Sequence, residues 1–236
     1  MIDRRKISIA IPTFERPELT IDSFIDVYND ERISEIVIVD DCSTMYYYEK
    51  LKELCDKLEK VKLYRNASNQ NCYANKMVAV SYCTNEFCIL LDSDNKIDHT
   101  YIEKIFEIED WDSETIYTPS YAKPHFDFRA FEGMTVSAID VAQYLKTPIF
   151  EVCLNAANYF VNCMNYLKVW DSETDPVTSD SIYQCYNWLK NGFKIKIVKG
   201  LEYNHLVHDG SHYKNQVHLT PVGFHESILQ KLRELK

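Results

Sequence analysis

The sequence predicts an α/β protein in which a mostly parallel sheet is flanked by helices. Apolar strand-like runs alternate with helical stretches through about the first 110 residues. This alternation is typical of β-α units, which place successive strands side by side in a parallel sheet. Several strand-like runs are continuously apolar, as in Ile36-Val37-Ile38-Val39, which indicates strands buried on both faces.

The first half of the chain contains four such units. The predicted strands cover residues 7–11, 35–40, 61–64 and 87–91. The predicted helices cover residues 17–29, 46–59, 73–83 and 101–109. In open sheets of this kind, ligands bind outside the carboxyl ends of the strands, so the polar residues that follow the strands are the candidates for chemistry.

The second half is less regular, because prolines interrupt its apolar runs and aromatic residues are scattered through it. We predict a helix over 180–190, a left-handed residue at Gly192 and a strand over 194–198. The tail places four apolar residues on one helical face, which predicts docking against the body: Ile228, Leu229, Leu232 and Leu235.

We therefore expect a regular first half, 1–112, and a smaller second half, 113–236, packed as one compact unit.

Composition excludes several classes of protein. The 236 residues carry a formal net charge of -10, which disfavours nucleic acid as a partner. The first apolar stretch, 7–11, is too short for a signal peptide or a membrane span, so we expect a cytoplasmic protein, with peripheral membrane contact left open. The eight cysteines form no C-x-x-C pair, and we interpret them as reduced core thiols rather than zinc ligands or disulfides.

The glycines restrict how a nucleotide could be held. All five lie beyond residue 132, so the β-α half has neither a P-loop nor the glycine fingerprint of dinucleotide-binding proteins. A bound diphosphate would need another source of positive charge, and a divalent metal held by carboxylates is one such source.

Two acidic motifs follow predicted strands. Asp92-Ser93-Asp94 can present two carboxylates to one Mg²⁺ or Mn²⁺, although a helix-capping loop has the same composition. Asp40-Asp41 precedes Cys42-Ser43-Thr44, where the residues can either cap the next helix or accept hydrogen bonds from a base or ribose. The residues alone leave both alternatives open.

Three motifs, ISIAIPTFERP (7–17), IVIVDDCST (36–44) and CILLDSD (88–94), closely resemble the family 2 glycosyltransferases of Rossmann-like GT-A fold in residues, order and spacing. The resemblance covers about the first hundred residues. It implies the following donor-site roles: Pro12, Thr13 and Glu15 line the nucleotide pocket, Asp41 binds the base, Asp92 and Ser93 face ribose and phosphate, and Asp94 binds the metal.

Lys76 lies where the family usually has a basic residue, and the resemblance makes it a cationic contact to the donor. The segment 69–76 departs from the family pattern, because it lacks the customary glycine, and the asparagine expected after the basic residue is missing. A solvent-exposed helix lysine is the alternative.

Asp180 precedes the predicted helix by the interval at which the family places its catalytic acid. The resemblance implies a general base, since an acceptor hydroxyl needs a carboxylate to take its proton. A plain helix N-cap is the alternative, and Asp175 is the reserve candidate for the base.

The segment from His205 to His212 resembles the family's C-terminal segment, which closes over the diphosphate and supplies a histidine to the metal. We choose His208 over His205 as that ligand, because His208 is nearer to Gly210-Ser211, the pair expected at the phosphates.

The resemblance thus implies an inverting glycosyltransferase. In it the half 1–112 would bind the nucleotide sugar, and the half 113–236, with the catalytic base and the C-terminal tail, would bind the acceptor. The enzyme would move a sugar from a nucleoside-diphosphate sugar, with UDP the commonest nucleotide in the family, to a hydroxyl of a glycan or glycolipid. A non-catalytic nucleotide-sugar-binding relative is one alternative. A nucleotidyltransferase is the other, although such enzymes typically carry a glycine-rich basic loop where this chain has Pro12-Thr13-Phe14-Glu15-Arg16-Pro17.

Overall fold

One β-sheet runs through the computed structural model, which describes residues 5–155, 158–208 and 217–236. In these residues the sheet contains nine strands. They are β1 (Ile7–Thr13), β2 (Ile33–Asp40), β3 (Val61–Arg65), β4 (Phe87–Leu90), β5 (Thr115–Lys123), β6 (Phe126–Asp127), β7 (Thr135–Val136), β8 (Tyr159–Asn162) and β9 (Lys194–Asn204).

The strand order is β3-β2-β1-β4-β8-β5-β9-β7, with β6 paired to β5. Strands β3, β2, β1 and β4 pair with one another in parallel, and β5 pairs in parallel with β9. Strand β7 is antiparallel to β9, and β6 is antiparallel to β5. Strand β8 lies between β4 and β5 and is antiparallel to both. This strand from the second half joins the four-stranded parallel part to the rest of the sheet.

Helices flank this sheet. They are α1 (Pro17–Asp22), α2 (Met45–Cys55), α3 (Asn71–Ser81), α4 (His99–Phe106), α5 (Val141–Tyr144), α6 (Pro148–Asn155), α7 (Cys163–Val169), α8 (Asp180–Lys190) and α9 (Phe224–Arg233). The predicted α/β class is confirmed, and the four strands and the helices α2, α3 and α4 of the first half lie within a few residues of their predicted positions.

One predicted helix of the first half is wrong. The stretch 17–29 is not continuous, because α1 ends at Asp22 and a separate 3-10 turn covers Ile25–Val27. Between them Phe24 leaves the helical conformation, with φ -127°, and its side chain is fully buried. Burial of this aromatic ring in the core breaks the helix.

The predicted elements of the second half are present. Helix α8 has the predicted bounds, and Gly192 has the expected left-handed conformation, with φ +83°. Strand β9 continues to Asn204, beyond the predicted end at residue 198. The tail forms α9, which packs against α5 and α8 and buries its predicted apolar face: Ile228, Leu229 and Leu232, with Leu235 half-buried beside them.

The sheet brings the ends of the first-half strands together. Strands β1 and β4 are buried along their whole length, as is β2 apart from Ser34. In register, Thr13 pairs with Asp40, and Ala10 pairs with Leu90. The segments after β1, β2 and β4 therefore emerge at one edge of the sheet, where the polar motifs lie.

Across the parts of the chain that the structure describes, no helix combines the length and the apolar character needed to cross a bilayer.

The docking of α9 can be tested by Leu232→Ala. The Leu232 side chain is fully buried, so we expect the free energy of unfolding to fall by about 2–5 kcal/mol. Urea denaturation followed by circular dichroism measures this change. The exposed Gln230 on the same helix gives the control, and Gln230→Ala should change stability by less than about 0.5 kcal/mol. Equal effects of the two variants would contradict a docked α9.

Candidate active site

A cleft of about 1090 Å³ opens at the edge of the sheet where β1, β2 and β4 end. One wall comes from the first half, with Pro12, Thr13, Asp41 and the Asp92-Ser93-Asp94 triplet. The opposite wall comes from α6, the first turn of α8 and the start of α9. The cleft therefore lies between the predicted donor residues and the predicted base.

A buried lysine connects the two walls. Lys76, on α3, is only 3 % exposed. Its Nζ lies 3.0 Å from Asp92 Oδ1 and 2.6 Å from Asp180 Oδ2. Burial favours the neutral amine, but the two carboxylates outweigh this effect and raise the pKa of Lys76 well above its ordinary value. The alternative of a solvent-exposed lysine is wrong.

Asp92 is fixed by its backbone as well as by Lys76. Its N–H donates to Asn158 Oδ1 at 2.8 Å, and the Tyr101 hydroxyl donates to the Asn158 carbonyl at 2.6 Å. Burial raises the pKa of Asp92, while Lys76 opposes that shift. The carboxylate of Asp92 is thereby held in the cleft and directed toward α3.

Asp94 has different partners. Its Oδ2 accepts a hydrogen bond from the guanidinium of Arg16, which lies in the segment after β1, and it lies 3.0 Å from His208 Nε2. The 3.0 Å separation is that of a hydrogen bond between the imidazole ring and the carboxylate. A carboxylate oxygen and an imidazole nitrogen are also two donor atoms that could together hold one divalent ion.

The two histidines of the predicted metal segment lie in different surroundings. His205 Nδ1 is 3.1 Å from His125 Nδ1, and its ring packs against Phe126. Burial and His125 lower the pKa of His205. Of the two rings, His208 is the one that lies at hydrogen-bond distance from Asp94, while Gly210 and Ser211 lie outside the described residues.

The adjacent acids Asp40 and Asp41 have different hydrogen-bond partners. Asp40 accepts hydrogen bonds from the backbone N–H of Ser43, at 3.1 Å, and from its hydroxyl, so it stabilises the turn before α2. Asp41 lines the cleft and accepts hydrogen bonds from Asn66 Nδ2 and Gln70 N, each at 2.8 Å. Burial raises the pKa of Asp41. Asp40 therefore holds the turn, whereas Asp41 faces the cleft. The expected capping of α2 by a side chain is wrong, because its N-cap residue Thr44 makes no side-chain cap hydrogen bond.

The other predicted donor residues lie in or beside the cleft. Pro12, Thr13 and Ser93 line it. Glu15 lies in the adjoining turn with a left-handed φ of +54°, where its N–H donates to Ser43 Oγ at 2.8 Å. Its carboxylate accepts a hydrogen bond from Thr44 N at 3.4 Å. Glu15 thus contacts the loop that carries Asp41.

Asp180 is the first residue of α8, and Ser179 holds the N-cap position. Its side chain is directed to Lys76 across the cleft and is 11 % exposed. The reserve candidate Asp175 lies in a turn instead, where it accepts hydrogen bonds from Asn71 Nδ2 at 2.9 Å and Val177 N at 3.0 Å. Of the two acids, Asp180 is the one that lines the cleft.

Several cleft residues escaped the sequence analysis. Arg16 lies within the first motif, three residues after the end of β1. Its position as a basic residue next to a strand end could have marked it as a residue of the cleft. The group at the far wall had no such signal: His225 Nδ1 lies 3.1 Å from Ser179 Oγ, and His225 Nε2 lies 2.8 Å from Glu151 Oε1. These three residues come from α9, the N-cap of α8 and α6, and only the fold brings them together.

A family model described as glycosyl transferase family 2 matches residues 8–144, which is more than half of the chain. The chain belongs to glycosyl transferase family 2. This membership confirms the resemblance seen in the sequence, and the match extends past the three motifs to the end of α5. No curated protein matched the sequence.

Solved structures share the fold. The structure titled S. aureus TarS 1-349 in complex with UDP-GlcNAc has a TM-score of 0.70 at 16% identity, covering 98% of this chain and 67% of that one. The mannosyltransferase PcManGT from Pyrobaculum calidifontis, in complex with GDP-Man and Mn²⁺, has a TM-score of 0.64 at 12% identity, covering 97% of this chain and 65% of that one.

The crystal structure of S. aureus TarS has a TM-score of 0.64 at 14% identity, and 96% of this chain covers 42% of that one. This family 2 chain therefore spans less than half the length of that TarS. The likeness confirms the predicted GT-A fold.

The contacts of Lys76 can be tested by Lys76→Met. Loss of the ammonium group removes the cation that the Asp92 and Asp180 carboxylates share, so we expect a destabilisation of about 3–5 kcal/mol at pH about 7. Asp92 has a raised pKa in the folded state, and removal of Lys76 raises it further. The protonated carboxyl avoids the penalty, so the loss should shrink as the pH falls from about 7 to about 4.

Urea denaturation at a series of pH values measures this dependence. Lys52→Met is the control, because the Lys52–Asp56 pair is exposed and should contribute less than about 1 kcal/mol. A Lys76→Met penalty that does not change with pH would show that lost packing, not charge pairing, is the cause.

Proposed function

We propose that this chain transfers a sugar from a nucleoside-diphosphate sugar to a hydroxyl group, with inversion at the anomeric carbon. The observation that carries the proposal is the pair of contacts of Lys76, which hold the carboxylate of Asp180 in the same cleft as the Asp92-Ser93-Asp94 triplet. An acid that can accept a proton is thereby placed opposite the predicted donor site.

The donor lies along the first wall in this proposal. Asp41 accepts a hydrogen bond from the base, Pro12 and Thr13 line the base pocket, and Asp92 and Ser93 face ribose and phosphate. A uridine nucleotide is supported by the TarS complex with UDP-GlcNAc, which has the higher TM-score of the two nucleotide-sugar complexes described above.

Asp94 and His208 hold the divalent metal in this proposal, with Mn²⁺ favoured by the mixed oxygen and nitrogen ligands and by the ion in the PcManGT complex. When bound, the ion supplies positive charge to the leaving diphosphate. The guanidinium of Arg16, already in contact with Asp94, adds a second positive group at this end of the cleft.

Asp180 acts as the general base. The acceptor hydroxyl transfers its proton to the carboxylate while its oxygen forms a bond to the anomeric carbon, and the bond from that carbon to the diphosphate oxygen breaks. Lys76 fixes the orientation of the carboxylate through its 2.6 Å contact. The acceptor enters along the second wall, where the polar group of Ser179, His225 and Glu151 suits a glycan or glycolipid headgroup rich in hydroxyls.

Asp180→Asn tests the base. The amide keeps the shape of the side chain but cannot take the proton, so we expect turnover of the donor to fall by about 10²–10⁴-fold. Affinity for the donor, measured by calorimetry, should change little. Turnover is measured as nucleoside diphosphate released from a panel of nucleotide sugars, with sugar acceptors present.

Asp175→Asn is the matched control, because this carboxylate is engaged in a turn. Its turnover should stay within about threefold of the wild type, which is a difference of less than about 1 kcal/mol in the barrier. Full activity of Asp180→Asn would favour another base, and donor binding without turnover in the wild type would favour a binding protein.

Substitution of Asp94 and His208 tests whether these two residues bind the metal. We expect Mn²⁺ to strengthen UDP binding by the wild-type chain, and we expect Asp94→Asn and His208→Gln to lose most of that gain, about tenfold or more. Calorimetric titration with UDP, with and without Mn²⁺, measures the difference. His205→Gln is the control and should keep the gain, since the His205 ring faces His125. Loss of the gain in His205→Gln alone would reverse the assignment of the two histidines.

A further inference from the structure

Three cysteines meet at the opposite end of β4 from the cleft. Cys83 follows α3, Cys88 is the second residue of β4, and Cys163 is the first residue of α7. Their sulfur atoms all lie within 4.8 Å of one another. From Cys88 to Asp92 the chain runs for four residues, so this thiol cluster is about 13 Å from the triplet along an extended strand.

We propose that this cluster, Cys83, Cys88 and Cys163, binds one soft metal ion through three thiolates, with Zn²⁺ as the ion to test first. Zinc–sulfur bonds of about 2.3 Å at tetrahedral angles place the sulfur atoms about 3.8 Å apart. The observed separations therefore need to contract by about 1 Å at most, a change within reach of side-chain rotation.

The burial of the three thiols suits such a site. Cys88 is fully buried and Cys163 is 6 % exposed, whereas Cys83 is half-buried. The first two can hold the ion away from water, and the side of Cys83 gives a path for entry. A water molecule or a small thiol can occupy the fourth position on that side, as in zinc sites that have three protein ligands.

Metal binding at this cluster needs all three sulfur atoms as thiolates. On metal binding the thiol protons go to solvent and three metal–sulfur bonds form, without any change of oxidation state.

Cd²⁺ is the spectroscopic probe for this site, because thiolate-to-cadmium charge transfer absorbs in the ultraviolet. The wild-type chain is reduced with a phosphine, freed of metal with a chelator and titrated with Cd²⁺. We expect one equivalent to saturate the absorbance, with an intensity typical of three thiolates per ion. Zn²⁺ should displace the probe and raise the melting temperature of the metal-free protein.

Cys83→Ser is the informative variant, because its half-buried position tolerates the change. It should weaken Cd²⁺ binding by at least about tenfold and remove the thermal shift by Zn²⁺. Cys55→Ala, at a buried cysteine outside the cluster, is the matched control and should keep both. Asp94→Asn should keep both as well, which separates this site from the cleft.

Absence of charge transfer in the wild type, or equal binding by Cys83→Ser and the wild type, would overturn the proposal. So would loss of the signal in Asp94→Asn, since the ion would then lie in the cleft. None of these outcomes bears on glycosyl transfer, which depends on the opposite edge of the sheet.

Discussion

The ammonium group of Lys76 lies between carboxylates from two separate parts of the chain, and both walls of the cleft depend on it. Asp92 follows the parallel strand β4, whereas Asp180 begins α8 some ninety residues later. Without a buried cation between them, two carboxylates so close together would repel each other and take up protons. The ion pairs keep Asp92 and Asp180 in one cleft, and they set the spacing between its two walls.

The sheet supports this arrangement. Continuous burial of β1, β2 and β4 fixes their register, so the segments that follow them emerge at one edge. Strand β8 then pairs with β4 in antiparallel fashion, and Asn158 just before it accepts a hydrogen bond from the Asp92 N–H. Residues from both halves therefore hold the triplet. The two acids of the triplet have different partners. Asp92 pairs with Lys76, whereas Asp94 contacts Arg16 and His208.

Much of the first half could be predicted from the sequence, because buried parallel strands leave long apolar runs and their ends carry the motifs. Strand β8 could not be predicted, since a segment of four residues in an irregular region is too short to show a periodicity that marks it as a strand. The burial of Lys76 could not be predicted from the sequence either, because it depends on the contact with Asp180 across the cleft. Contacts among residues far apart in sequence, such as His225 with Glu151, appear only once the helices are packed.

The central claim is that the cleft binds a nucleotide sugar with a divalent metal, and a thermal-shift screen of the wild-type chain tests it most directly. Nucleoside diphosphates and nucleotide sugars would each be added with and without Mn²⁺, since a ligand that binds the native state raises the melting temperature. We predict that UDP and UDP-sugars raise it, and raise it further with Mn²⁺. A melting temperature unchanged by every nucleotide, with or without the metal, would contradict the claim.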